Sequence, residues 1–126
     1  MERIYKPLSE KTREEVKEIL ESNDMDALIT LPLSLGEYEP DWKFAQDTCM
    51  KLAQHEDERV RANAALGLAY VARTKGKLEK NLVKPVLLQL LNNCEEYQWR
   101  VIDAINDINL YMNWRIGKKA IKRIEK

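Results

Sequence analysis

Few side chains in this 126-residue chain are of a type that could do chemistry. The single histidine, His55, lies in the stretch His55-Glu56-Asp57-Glu58, where an imidazole beside carboxylates could serve as a general base or a metal ligand. No cysteine or second histidine shares its helix face, so a solvated turn histidine is the expected role. Cys49 falls on an apolar stripe with no histidine near it to generate a thiolate, which makes it a buried structural thiol; Cys94 reads as a turn thiol. Glu14 and Glu18 stand one helical turn apart, a spacing that paired catalytic carboxylates use and that ordinary solvated helix faces use far more often. The glycines, Gly36, Gly67, Gly76 and Gly117, are too dispersed for a phosphate-cradling loop. The expectation is no catalytic residue, no metal site and no cofactor.

The elements that carry these residues are helical. A composition of 44% hydrophobic and 33% charged residues with four glycines and four prolines excludes disordered and collagen-like chains and favours long regular elements. The length suits one domain over residues 1–126, burying about two thirds of the surface an unfolded chain would expose. No apolar run approaches the length of a membrane span, and the first residues lack an apolar signal segment, so cytoplasmic residence in a reducing compartment is expected.

Periodicity predicts a first helix from about residue 10, capped by Ser9, with Val16, Ile19 and Leu20 inward. Asp24 caps a second helix, which Pro32 should kink or end, and Gly36 closes the pair. Pro40-Asp41 opens the third, carrying Trp42, Ala45, Cys49, Leu52 and Ala53. The fourth, roughly 57–74, turns Val60, Ala64, Gly67, Leu68 and Val71 inward and Ala62, Ala65, Leu66, Ala69 and Arg73 outward. The fifth, 78–91, carries Leu82, Val83, Val86, Leu87, Leu90 and Leu91, and Pro85 inside it should bend it. The sixth begins near Glu95 and buries Tyr97, Val101, Ala104, Ile105 and Ile108. Ile116, Ala120, Ile121 and Ile124 then outline a short basic helix that caps the end, its lysines in water rather than on nucleic acid.

The pattern Val60, Ala64, Gly67, Leu68, Val71 returns 37 residues later as Tyr97, Val101, Ala104, Ile105, Ile108. A repeat near 40 residues in paired helices marks an α-solenoid. The run from Asp57 to Leu68, with an acid in the turn, the Val60-Arg61 pair and then small residues, resembles the second helix of a HEAT repeat. The expected fold is therefore all-α, a short α-solenoid of two to three HEAT-like hairpins. It comprises a divergent pair (9–36), two HEAT-like pairs (40–75 and 78–112) and a basic C-terminal capping segment (113–126).

Binding surface is where the residues speak most directly. With Tyr97 inward, Trp99, Ile102, Asp103, Asn106, Leu110 and Asn113 fall on the outward side of the sixth helix, too apolar a mixture for a plain solvated face. Either the last helix covers it or a partner does. Charge is divided unevenly: residues 1–63 hold nine basic and fifteen acidic side chains, a balance of −6, and residues 64–126 hold twelve and six, a balance of +6. Asp24, Asp26, Glu37, Glu39, Asp41, Glu56, Asp57 and Glu58 lie at turns and form an anionic rim that would steer a basic partner. The chain resembles small stand-alone bacterial HEAT-like proteins, some of which look like immunity proteins of contact-dependent growth inhibition systems. That resemblance implies a monomer that binds and occludes a basic toxin domain of nuclease type, with contacts from the rim and from Trp99, Asp103 and Asn106, and with no nucleic-acid or membrane partner. The rival readings are a scaffold that holds a host peptide or helix on the outward faces of the fourth and sixth helices, and a HEAT-type lyase or glycosylase.

Overall fold

The structure, a computed structural model, describes residues 8–124. These form seven helices and no strand: α1 (Arg13–Glu21), α2 (Met25–Tyr38), α3 (Trp42–Leu52), α4 (Glu58–Lys75), α5 (Lys80–Asn93), α6 (Gln98–Met112) and α7 (Lys118–Ile124). Aspartates start three of them: Asp24, Asp41 and Asp57 each accept backbone N–H groups from the first turn that follows. At α1 the cap is Thr12 and not Ser9. Thr12 has Glu15 three residues on, and the two close a reciprocal box of hydrogen bonds at 3.1 and 3.0 Å. Gly76, at φ 64°, ends α4 in the left-handed conformation that glycine tolerates best.

Contacts between successive hairpins set the layering. Asn63 of α4 reaches the Ile29 carbonyl of α2, and Thr74, further along α4, reaches that of Gly36, so α2 and α4 run side by side in the same direction. Arg100 of α6 bonds Asn63 and continues that layer. On the other side Arg13 meets Asp41, Gln46 meets Glu79, and Gln54 meets Gln89, which aligns α1, α3 and α5. The result is a solenoid-like all-α stack with even-numbered helices in one layer and odd-numbered helices in the other. Between them lies a continuous apolar core that includes Leu31, Leu35, Cys49, Leu68, Leu87, Leu90, Ile105 and Ile108.

Several local expectations are overturned. Pro32 does not end α2, and Gly36 lies inside that helix. A Cβ on Gly36 would stand 2.5 Å from Tyr70 Cβ, and one on Gly67 would stand 2.6 Å from the Pro32 carbonyl oxygen, so these glycines are the points where α2 and α4 touch backbone to backbone. Ala62, Ala65 and Ala69 are buried, because α2 and α6 close in on both flanks of α4; of the expected outward side only Leu66, half-buried, and Arg73, exposed, reach the surface. Leu82 is exposed, turned about 100° from the buried Val83 in the first turn of α5. Cys94 does lie in the turn after α5, and it is buried there. The sixth helix starts at Gln98, and Glu95 and Glu96 belong to the turn before it.

Candidate protein-binding surface

Cys49 and His55 are both engaged in the fold, whereas Glu14 and Glu18 stand exposed on α1. Cys49 is fully buried in the core, which pushes its thiol up to about 12, out of reach of a thiolate mechanism. His55 Nδ1 accepts the Asp57 N–H at 3.0 Å and so shapes the turn into α4. No cluster of His, Cys, Asp and Glu able to hold a metal ion occurs among the described residues, and no described helix is long and apolar enough to cross a membrane.

The acidic side chains that looked like one rim are divided by the layering. Because α2, α4 and α6 point the same way, Asp24 and Asp26, then Glu56, Asp57 and Glu58, then Glu95 and Glu96, line the edge where those helices begin. Glu37, Glu39 and Asp41 lie at the opposite edge, where α2 ends, and each meets a cation. Glu37 pairs with Arg73 of α4. Asp41 pairs with Arg13 at 3.2 Å, and its carboxyl is held below the usual range by the Phe44 N–H and that guanidinium. Glu39, only 8% exposed, accepts the Asp41 N–H at 2.9 Å and faces Arg13 at 4.0 Å.

On the first edge the roles also differ. Asp57 caps its own helix and is lowered by the Arg59 guanidinium. Glu58 reaches across to the next repeat, accepting the N–H groups of Glu96 and Tyr97 at 3.1 and 3.2 Å. This supplies the cap that α6 lacks on its own. Asp24 caps α2 and stays exposed, while Asp26 and Glu56 are exposed and outside any ion pair among the described residues.

Along α6, Trp99 (59% exposed), Asp103, Asn106 and Leu110 (74%) stand on the side opposite the buried Val101, Ala104, Ile105 and Ile108, with Tyr111 exposed beside them. Ile102, expected with them, is half-buried against the core edge. The short C-terminal helix forms but does not cover this side. Asn109 holds the Ile116 backbone at both its N–H (2.8 Å) and carbonyl (3.0 Å), and Gly117, at φ 69°, lies by Leu88 and Leu91. Those contacts turn α7 toward α5, where Ile116 and Ile121 are buried. Two clefts of about 470 and 580 Å³ flank α7, sharing Arg115, Lys118 and Lys122 and lined by no carboxylate.

Of the polar residues that join the repeats, the sequence pattern singled out Arg61 but not Asn63 or Gln46. Asn63 donates to the Ile29 carbonyl at 2.7 Å and accepts from Arg100 at 2.6 Å, tying three helices together. Gln46, fully buried, accepts the Glu79 N–H and donates to the Glu79 carboxylate, capping α5 from the neighbouring hairpin. Arg61 donates to the carbonyls of His55, Glu56 and Asn93, and Gln98, at the matching place one repeat on, donates to that of Leu91. A polar residue on an otherwise apolar helical stripe is the signal that could have found Asn63 and Gln46.

No protein-family profile and no curated protein matches the chain. Among solved structures it is similar to a chain in the crystal structure of a CDI complex from Cupriavidus taiwanensis LMG 19424. The TM-score is 0.72 at 21% identity, and the match covers 87% of this chain and 98% of that one. At that identity the likeness is one of fold.

Proposed function

We propose that this chain is an immunity protein that binds a toxin domain of a contact-dependent growth inhibition system and occludes its active site. The observation that carries the reading is the fold likeness to a chain of a CDI complex across nearly the whole length of both chains. The carboxylates along the starting edge of α2, α4 and α6 support a cationic toxin, of which a nuclease is the type we favour, because a surface lined by one sign of charge speeds encounter with the opposite sign. Within the proposal the protein acts by contact and not by catalysis, in the cytoplasm, as a monomer built from HEAT-like hairpins. The scaffold reading is weaker, since on one of the two helix faces it needs, that of α4, Ala62, Ala65 and Ala69 are buried and only Arg73 is exposed.

The reading is tested by producing this chain together with the toxin domain of any contact-dependent growth inhibition protein encoded beside its gene. We expect co-purification as a one-to-one complex and rescue of growth in cells that make the toxin domain. Growth arrest that this chain leaves untouched, with no complex formed, would refute it.

A further inference from the structure

The outward side of α6 combines apolar reach with uncompensated negative charge. Trp99 stands near its start and Leu110 and Tyr111 near its end, and the carboxylates of Asp103 and Asp107 lie between them over about 17 Å of helix. The one cation in α6, Arg100, is already committed. Its guanidinium donates to Asn63 and lies 5.2 and 5.3 Å from the ring centroids of Tyr97 and Trp99, which holds the indole against the helix in a defined orientation. Glu95 and Glu96, exposed in the preceding turn, extend the negative field past Trp99.

A tryptophan exposed on a rigid helix, with aliphatic and aromatic neighbours and no free cation on its own helix, the cations of α7 lying beyond Asn106, is complementary to one kind of surface. We infer that this ridge, and not the edge that carries Glu37, Glu39 and Asp41, is where the toxin domain docks, and that the docking face of the toxin is a cationic surface with an apolar slot that receives Trp99. The inference rests on the immunity reading for the identity of the partner. Charge decides between occupants. A second copy of this chain related by a two-fold axis along the ridge would set Asp103 and Asp107 against the same carboxylates, an arrangement that repels. The chain's own α7 is fastened on the α5 side by Asn109 and by the burial of Ile121. A basic partner satisfies both features: its cations meet Asp103, Asp107, Glu95 and Glu96, and its slot buries the indole and the Leu110 side chain. Buried aromatic anchors of this sort carry much of the binding energy of an interface, with the surrounding charge acting mainly on encounter rate.

The experiment is surface-plasmon titration of that purified toxin domain, made catalytically inactive, against the full chain and four variants. Trp99→Ala should weaken the complex by about 30-fold and Leu110→Ala by about 5-fold, chiefly through faster dissociation. Asp103→Lys combined with Asp107→Lys should slow association about 10-fold at low salt and flatten its salt dependence. Lys84→Glu, an exposed α5 change away from the ridge, should leave the affinity within twofold. All the substituted side chains are exposed, and an unchanged thermal midpoint establishes that each variant is folded. A tight complex that tolerates Trp99→Ala and the double charge reversal would overturn the ridge while leaving the immunity reading intact. No complex with the unaltered chain would overturn both.

Discussion

Asn63 sits 5% exposed in α4 with its amide divided between two neighbouring helices. Its replacement by alanine would leave the Arg100 guanidinium without its short bond and remove the donor to the Ile29 carbonyl. Asn63→Ala should therefore lose about 1–3 kcal/mol of stability, read from the urea midpoint, despite the good helix propensity of alanine. Cys49 gives a chemical check at the same scale. A thiol raised to about 12 by complete burial is almost wholly protonated near neutral pH. In the native protein it should resist thiol reagents at pH 8 and react at the free-cysteine rate once urea unfolds the chain; prompt labelling of the folded form would contradict its placement.

Among the helices, starts are secured by carboxylates and by loans from the next hairpin. Asp41 and Asp57 are held below their ordinary 3.8, and Glu15 and Glu79 below 4.5, by backbone N–H groups and cations that exist only in the fold. A carboxyl lowered in the native state takes up its proton later than in the unfolded chain. These groups thus stabilise the fold fully above about pH 4.5 and lose that contribution as pH falls through their lowered values. The thermal midpoint should be flat from pH 7 to 5 and decline modestly below about 4, since these groups are at least partly exposed and screened by solvent. Glu58 is the cap on loan to α6, and Glu58→Ala should speed amide exchange at Glu96 and Tyr97 while costing about 1 kcal/mol overall. Where α2 crosses α4, Gly67→Ala should cost about 1–3 kcal/mol, because the new methyl would meet the Pro32 carbonyl oxygen at 2.6 Å.

Across the whole molecule the zero net charge divides by edge and by end. At the edge where α2 ends, acids and bases cancel: Glu37 with Arg73, Asp41 with Arg13, Glu79 with Lys43. At the opposite edge Asp24, Asp26, Glu56, Glu95 and Glu96 lie near few cations, and around α7 lysines and arginines accumulate. Glu37→Lys should accordingly act on stability, by under about 1 kcal/mol since both partners are partly exposed, and leave association with a cationic protein unaltered. Asp26→Lys together with Glu56→Lys, at the open edge, should slow that association at low ionic strength and leave the thermal midpoint within a degree or two; a stopped-flow salt series separates the two effects.

How far the residues alone reached follows from the range of the forces involved. Helix periodicity, the Asp24 cap, the opening of α3 at Pro40-Asp41 and the Gly76 stop depend on neighbours within one or two turns, so they were legible, as was the all-α fold class. The apolar outward side of α6 was legible too, because the spacing of Trp99, Asp103, Asn106 and Leu110 is a property of one helix. Which charges stay available, which glycines are contacts rather than ends, and whether α7 reaches Trp99 depend on groups 30 or more residues apart in the chain, such as Asn63 with Ile29 and Glu37 with Arg73. Local pattern settled the helices and most of the side chains that meet the core, but not that α4 is enclosed on both flanks. Only their stacking decided that Glu37, Glu39 and Asp41 hold the repeats together while the tryptophan ridge stays open, because an ion pair or a covering helix exists only where packing brings distant residues within a few ångströms.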